Sequence, residues 1–159
     1  QKINVFKFKM ILNLFNKKNN NIDNDGGIDS SKIIALLIHA AKIDENYTEK
    51  ERKIIFDFVE IFTKNQKKTM SKNEILDLIK DAENYEKNSN QILEYTKEVK
   101  KMNIKIKTLI LETLWKIILS DEKSGVYESN LMRRICGLFY FSDKLSGEIK
   151  LNILKRKKL

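Results

Sequence analysis

Apolar positions recur along this chain at helical spacing. The stretch "SKIIALLIHAAKI", Ser31 to Ile43, is apolar almost all round, the mark of a helix buried on every side. "TEKERKIIFDFVEIF" sets Ile54, Ile55, Phe58, Val59 and Phe62 on one face. It opens with a capping box, Thr48 and Glu51: the hydroxyl takes a first-turn N–H and the carboxylate returns to the cap N–H. A second box, Ser71 and Glu74, opens a helix carrying Ile75, Leu76, Leu78 and Ile79. "NSNQ" separates it from a helix with Ile92, Leu93, Tyr95, Thr96 and Val99. "NIKIKTLILETLWKIIL" is again apolar nearly all round, "YESNLMRRICGLF" is amphipathic, and "SDKLSGEIKLNILKRKK" is a last helix with a basic end. The pattern predicts an all-α protein of about seven helices.

Composition fits that reading. There is no proline and there are only 5 glycines in 159 residues, which permits long helices and argues against a turn-rich β fold. With 42% hydrophobic and 33% charged residues, the chain has the balance of one globular domain. Cys136 is the single cysteine, so an internal disulfide and a multi-cysteine metal site are both excluded. Its neighbours Ile135, Leu138 and Phe139 mark it as a small core residue. The lone His39 follows an apolar run and reads as a packed or partly exposed histidine, since a catalytic one needs partner groups. The most apolar segment, Ile104 to Leu119, is broken by Lys105, Lys107, Glu112 and Lys116 and does not reach the run of about 18 apolar residues that a spanning helix needs. No cleavable signal pattern is present; the expected location is cytoplasmic.

Residues 1–30 read as a separate segment. "INVFKFKMILNLFNKK" reads as a mobile tail, as a segment that docks back on the domain, or as a short amphipathic helix with Phe6, Met10, Ile11 and Leu14 on one side and lysines flanking. The last is a form suited to peripheral contact with an anionic membrane through residues 1–18. Residues 16–30 read as an Asn/Asp-rich linker, and the helical domain is expected over 31–159. Within the linker, "NIDNDGGIDSSK" follows the order of a calcium loop through Asn21, Asp23, Asp25, Gly26, Ile28 and Asp29. The last position holds Lys32 where a bidentate glutamate is required, so a tight calcium loop is not expected.

Net charge is +9 and unevenly spread. Residues 1–30 hold 5 Lys against 3 Asp, residues 31–90 hold 11 basic and 11 acidic residues, and residues 91–159 hold 15 basic and 8 acidic. The basic ends, "KRKK" at Lys155–Lys158 above all, offer an alternative role at an anionic membrane or nucleic acid. Cations at a helix C-terminus also suit the dipole. No zinc finger, helix-turn-helix pattern or aromatic platform supports nucleic acid.

One stretch runs against the basic trend. "KIDENYTEKERKII", Lys42 to Ile55, is acidic at Asp44, Glu45, Glu49 and Glu51. It repeats at an offset of 77 in "SDEKSGVYESNLM": Asp44 aligns with Asp121, Glu45 with Glu122 and Glu51 with Glu128. Ile54, Ile55, Phe58 and Phe62 align with Leu131, Met132, Ile135 and Phe139. Each copy is a buried helix, an acidic turn and an amphipathic helix.

With these residues in place the chain resembles the tellurite-resistance protein B (TerB)-like family, over roughly residues 31–156. The family pattern is Ala-Asp-Gly, a short turn and a Glu, twice in an all-helical domain; "SDEKSGVYESNLMRRICGLFYFS" is the closer copy. Both family glycines are glutamate here, Glu45 and Glu122, which puts the usual tight turn in question. The resemblance implies a non-enzymatic role linked to metal or metalloid stress, protein partners near the membrane or in larger assemblies, and clustered acids that bind a metal cation.

Caps alone account for Glu51 and for Glu128 after Gly125. They account less well for Asp44 and Asp121, which follow a helix exit where the dipole disfavours negative charge. The functional reading has the two turns converge, with Asp44, Glu51, Asp121 and Glu128 as ligands and Glu45 and Glu122 as additional acids. All-oxygen ligands favour Ca2+, Mg2+ or Mn2+.

Overall fold

Ile33, Ile34, Leu36, Leu37 and Ile38 are all fully buried, so the first helix has no solvent-facing stripe through its middle. The structure, a computed structural model, describes residues 29–89, 92–120 and 126–158. Seven helices and no strand are found among them: α1 Ser30–Ala41, α2 Glu49–Asn65, α3 Lys72–Asn88, α4 Ile92–Lys100, α5 Ile104–Ile118, α6 Val126–Phe139 and α7 Asp143–Lys157. The N-terminal segment, for which membrane contact is one reading, and the calcium-like positions up to Ile28 lie outside the described residues. Asp29 is the N-cap of α1, accepting the Ser31 N–H at 3.1 Å, and Lys32 pairs with it at 3.7 Å. The end of the calcium-like pattern thus starts a helix.

The two segments that are apolar all round become the centre. α1 packs against α2, α3, α4 and α5, and α5 packs in addition against α2, α6 and α7. A helix ringed by neighbours cannot leave a broad polar face; α5 keeps only a narrow polar stripe, where Glu112 pairs with Lys116 and with Arg156 of α7. The repeat is a repeat of buried positions: Ile33 and Ile110, Ile34 and Leu111, Leu37 and Leu114, Ile38 and Trp115 are each buried at the same offset. In the partner helices Ile55 matches Met132, Phe58 matches Ile135 and Phe62 matches Phe139, all buried. Each such side chain contributes about 1.5–3 kcal/mol on burial.

Polar contacts fix the outer helices. The Trp115 indole N–H donates to Ser146 Oγ at 3.0 Å inside the α5–α7 contact, and the Lys150 ammonium lies 4.9 Å from the indole centroid. Glu86 on α3 accepts from Lys42 at 2.8 Å and lies 3.4 Å from His39 Nδ1, which ties α1 to α3 and leaves His39 packed on one side and partly exposed on the other. Cys136 is buried and burial pushes its thiol pKa up, as a core cysteine requires.

Leu76 departs from the expected face. It is 47% exposed while Ile75, Ile79 and Ala82 hold the α3 contact; one residue beyond Ile75 is a rotation of about 100°, enough to leave the seam. The side chain of Leu93 lies outside the described residues. Among the described residues no helix is long and apolar enough to cross a membrane.

Candidate functional site

The first acidic turn begins where α1 stops, at its C-cap Lys42. The Glu45 N–H donates to the Lys42 carbonyl at 2.9 Å, and Glu45 takes a φ of 65°. A tight turn therefore forms, with glutamate in the left-handed conformation that glycine adopts freely, at roughly 1–2 kcal/mol of backbone strain. The replacement of the family glycine by Glu45 does not abolish the turn. The Asp44 Oδ1 accepts the Asn46 N–H at 3.0 Å, so this carboxylate closes the turn on itself. Asp44, Glu45 and Asn46 are all exposed.

Glu51 has the opposite surroundings. It is 3% exposed, and its Oε2 accepts the Thr48 N–H at 2.7 Å and the Thr48 hydroxyl at 2.9 Å. The Glu51 N–H donates back to Thr48 Oγ1 at 3.3 Å. The capping box is complete. Tyr47 occupies the position before the cap, and the Arg52 guanidinium, four residues into the helix, lies 4.7 Å from its ring centroid. This is the place of a hydrophobic staple, filled here by a cation–π pair. The Tyr47 hydroxyl is buried with no hydrogen-bond partner among the described residues. Desolvation first, and then the charge of Glu83, push its pKa far above the usual phenol value, with Arg52 acting the other way. The Glu83 carboxylate acts on it through its charge and not through a well-formed hydrogen bond.

The second turn starts from Ser120, which is buried and whose hydroxyl donates to the Ile117 carbonyl at 2.7 Å. Asp121 and Glu122, and the side chain of Glu128, lie outside the described residues. The two copies nonetheless touch. Lys50, in the first turn of α2, donates from Nζ to the Ser120 carbonyl oxygen at 3.2 Å. The start of the second helix of one hairpin is thereby joined to the end of the first helix of the other.

Among the described residues no group of three or more His, Cys, Asp or Glu side chains is gathered to hold a metal ion. Asp44 and Glu51 offer carboxylate oxygens and Ser120 a carbonyl oxygen, donors whose chemistry fits a hard cation such as Ca2+, Mg2+ or Mn2+. The first copy alone does not complete such a shell.

Reading the sequence missed Lys50, Ser120, Tyr47 and Arg52. Lys50 looks like one more surface lysine. For Tyr47 a signal existed, an aromatic directly before a cap residue with a long side chain at the fourth helical position.

A family model described as tellurite resistance protein TerB matches residues 30–151. No curated protein and no solved structure matches the chain.

Proposed function

The chain belongs to the tellurite resistance protein TerB family, and on that premise we propose that it is a non-enzymatic interaction module whose two acidic turns together bind a divalent cation. The observation that supports this is the Lys50–Ser120 contact at 3.2 Å, which brings the helix start after the first turn to the residue before the second. In this reading Asp44, Glu51, Asp121 and Glu128 are the ligands, and Glu45 and Glu122 add negative charge. Carboxylates drawn together repel unless a cation, protons or basic groups offset them, and a hard divalent ion supplies that charge through oxygen ligands.

The chain's own residues do the positioning. The capping box holds one oxygen of Glu51 in place, and the Asn46 N–H holds one oxygen of Asp44. A bound ion would tie the α1–α2 hairpin to the α5–α6 hairpin and stiffen the surface presented to a protein partner, a role linked to metal or metalloid stress. No proton-transfer step is assigned to the acids, because a cap and a turn closure hold charge in place.

Calorimetric titration of Ca2+, Mg2+, Mn2+ and Zn2+ into metal-stripped protein tests this, beside an Asp44→Asn/Asp121→Asn variant. Saturable binding by the wild type, lost in the variant with its helical spectrum intact, is the expected result. No heat up to millimolar metal would leave the turns as caps. Salt-sensitive binding to anionic vesicles or to DNA would then favour the basic ends instead.

A further inference from the structure

We propose that the exposed side of α6 and the corner after it, Arg133, Arg134, Gly137 and Tyr140, is a docking site for an acidic segment of a partner protein. The proposal rests on the interaction-module half of the reading above and not on the cation, since none of these residues lies in either acidic turn.

Three features of this surface have no internal cause. Gly137 lies inside α6 and is exposed, and a Cβ built on it meets no atom within 4 Å. Glycine there weakens the helix relative to alanine and relieves no crowding within the fold. Gly147 in α7 is uncrowded in the same way; what sets Gly137 apart is its place, exposed between the two arginines and Tyr140.

Tyr140 is the second feature. The Phe141 N–H bonds the Cys136 carbonyl at 2.9 Å and the Tyr140 N–H bonds the Gly137 carbonyl at 3.3 Å, the paired closure that puts the residue after a helix into a left-handed conformation. Tyr140 takes that conformation, with φ 58°, and is 83% exposed. Glycine is the residue favoured at this position. α2 ends in the same closure around Lys67, φ 57°, but with a solvated side chain. An aromatic ring held out into water on a strained backbone is disfavoured twice over.

The third feature is charge. Ser129, Asn130, Arg133, Arg134 and Gly137 are the exposed α6 positions among the described residues, and none is acidic. Neither arginine has an ion-pair partner among the described residues. Arg133 and Gly137, four apart, share one side of the helix, and Tyr140 stands at the corner just beyond its end.

Arginine and tyrosine are the side chains that most often anchor protein interfaces. A guanidinium meets a carboxylate through two parallel hydrogen bonds, and a phenol ring brings contact area with few rotors to freeze. Two arginines and one ring suit a short acidic segment. A nucleic-acid groove instead tracks a backbone with many cations and stacks several bases, and a membrane-surface helix needs an apolar stripe.

The test is fluorescence anisotropy of the full chain in EDTA with a fluorescein-labelled 12-residue peptide of Glu and Leu at helical spacing. The same peptide with Lys for Glu and a single-stranded DNA 20-mer are run beside it. Saturable binding of the acidic peptide is expected, about tenfold weaker in Arg133→Ala/Arg134→Ala and unchanged in Asp44→Asn/Asp121→Asn. Tyr140→Gly and Gly137→Ala each raise Tm by roughly 2–4 °C and weaken the peptide severalfold, a pairing that a purely structural role cannot produce. Absence of peptide binding, binding unchanged in these variants, or tighter binding of the DNA would overturn the proposal. Because EDTA removes metal, a failed cation titration leaves this result standing, and the reverse.

Discussion

The Lys50 ammonium donates to the Ser120 carbonyl oxygen at 3.2 Å, across 70 residues of chain. A local motif, the start of α2, is thereby fastened to the last buried turn of α5. Removing it in Lys50→Met is expected to lower stability by about 0.5–1 kcal/mol, read from urea unfolding. The same variant deletes a positive charge held against the residue before the second acidic turn. If the turns share a cation, its affinity rises about fivefold at a separation of several ångströms in a high dielectric; unchanged affinity would place the ion elsewhere.

Glu45 carries backbone strain at φ 65°. Glu45→Gly removes roughly 1–2 kcal/mol of that strain and loses part of the gain to the freer unfolded chain. The net expectation is a stabilisation of about 0.5–1 kcal/mol with an unchanged helical spectrum. A destabilised variant would show that the Glu45 side chain makes a contact that outweighs its backbone.

The buried Tyr47 hydroxyl has no hydrogen-bond partner among the described residues, so Tyr47→Phe should be neutral or stabilising by about 1 kcal/mol. The ring contact with Arg52 at 4.7 Å is retained in that variant. Tyr47→Ala loses it, with the staple, and is expected to cost about 2 kcal/mol. Trp115 is the sole tryptophan, so its fluorescence during denaturant unfolding reports both. A clear loss of stability in Tyr47→Phe would reveal a water or ligand on that oxygen.

Glu74 caps α3 from outside the core. The Ser71 N–H, at 2.7 Å, and then the Ser71 hydroxyl hold its carboxyl below the ordinary value of 4.5. A depressed folded pKa means the contribution is present above the unfolded pKa and is lost as pH falls through the folded one. The stability difference between wild type and Glu74→Gln should therefore be present at neutral pH and shrink in acid. A difference constant with pH would mean that the amide caps as well as the carboxylate.

Local physics made much of the architecture readable without coordinates. Helical periodicity identified all seven helices of the described residues, and the boxes Thr48–Glu51 and Ser71–Glu74 marked two starts that the structure bears out, because a cap involves residues three apart. Of the apolar pairs aligned at the offset of 77, Ile55–Met132, Phe58–Ile135 and Phe62–Phe139 are buried in both copies, while Ile54 is only partly buried opposite a buried Leu131. The acids Asp44 and Glu51 could be picked out, but their surroundings could not: whether a carboxylate ends exposed in a turn or 3% exposed under a cap depends on how the chain packs around it. Leu76 shows the same limit on α3, where the approach of α1 and α2 selects Ile75 and Ile79 in its place. The left-handed Glu45 and Tyr140, the burial of the Tyr47 oxygen without a partner among the described residues and the reach of Lys50 to Ser120 were decided only by tertiary structure. Each arises where elements distant in sequence meet, or where a turn must close over a packed helix, and no periodicity within a single segment encodes such a meeting.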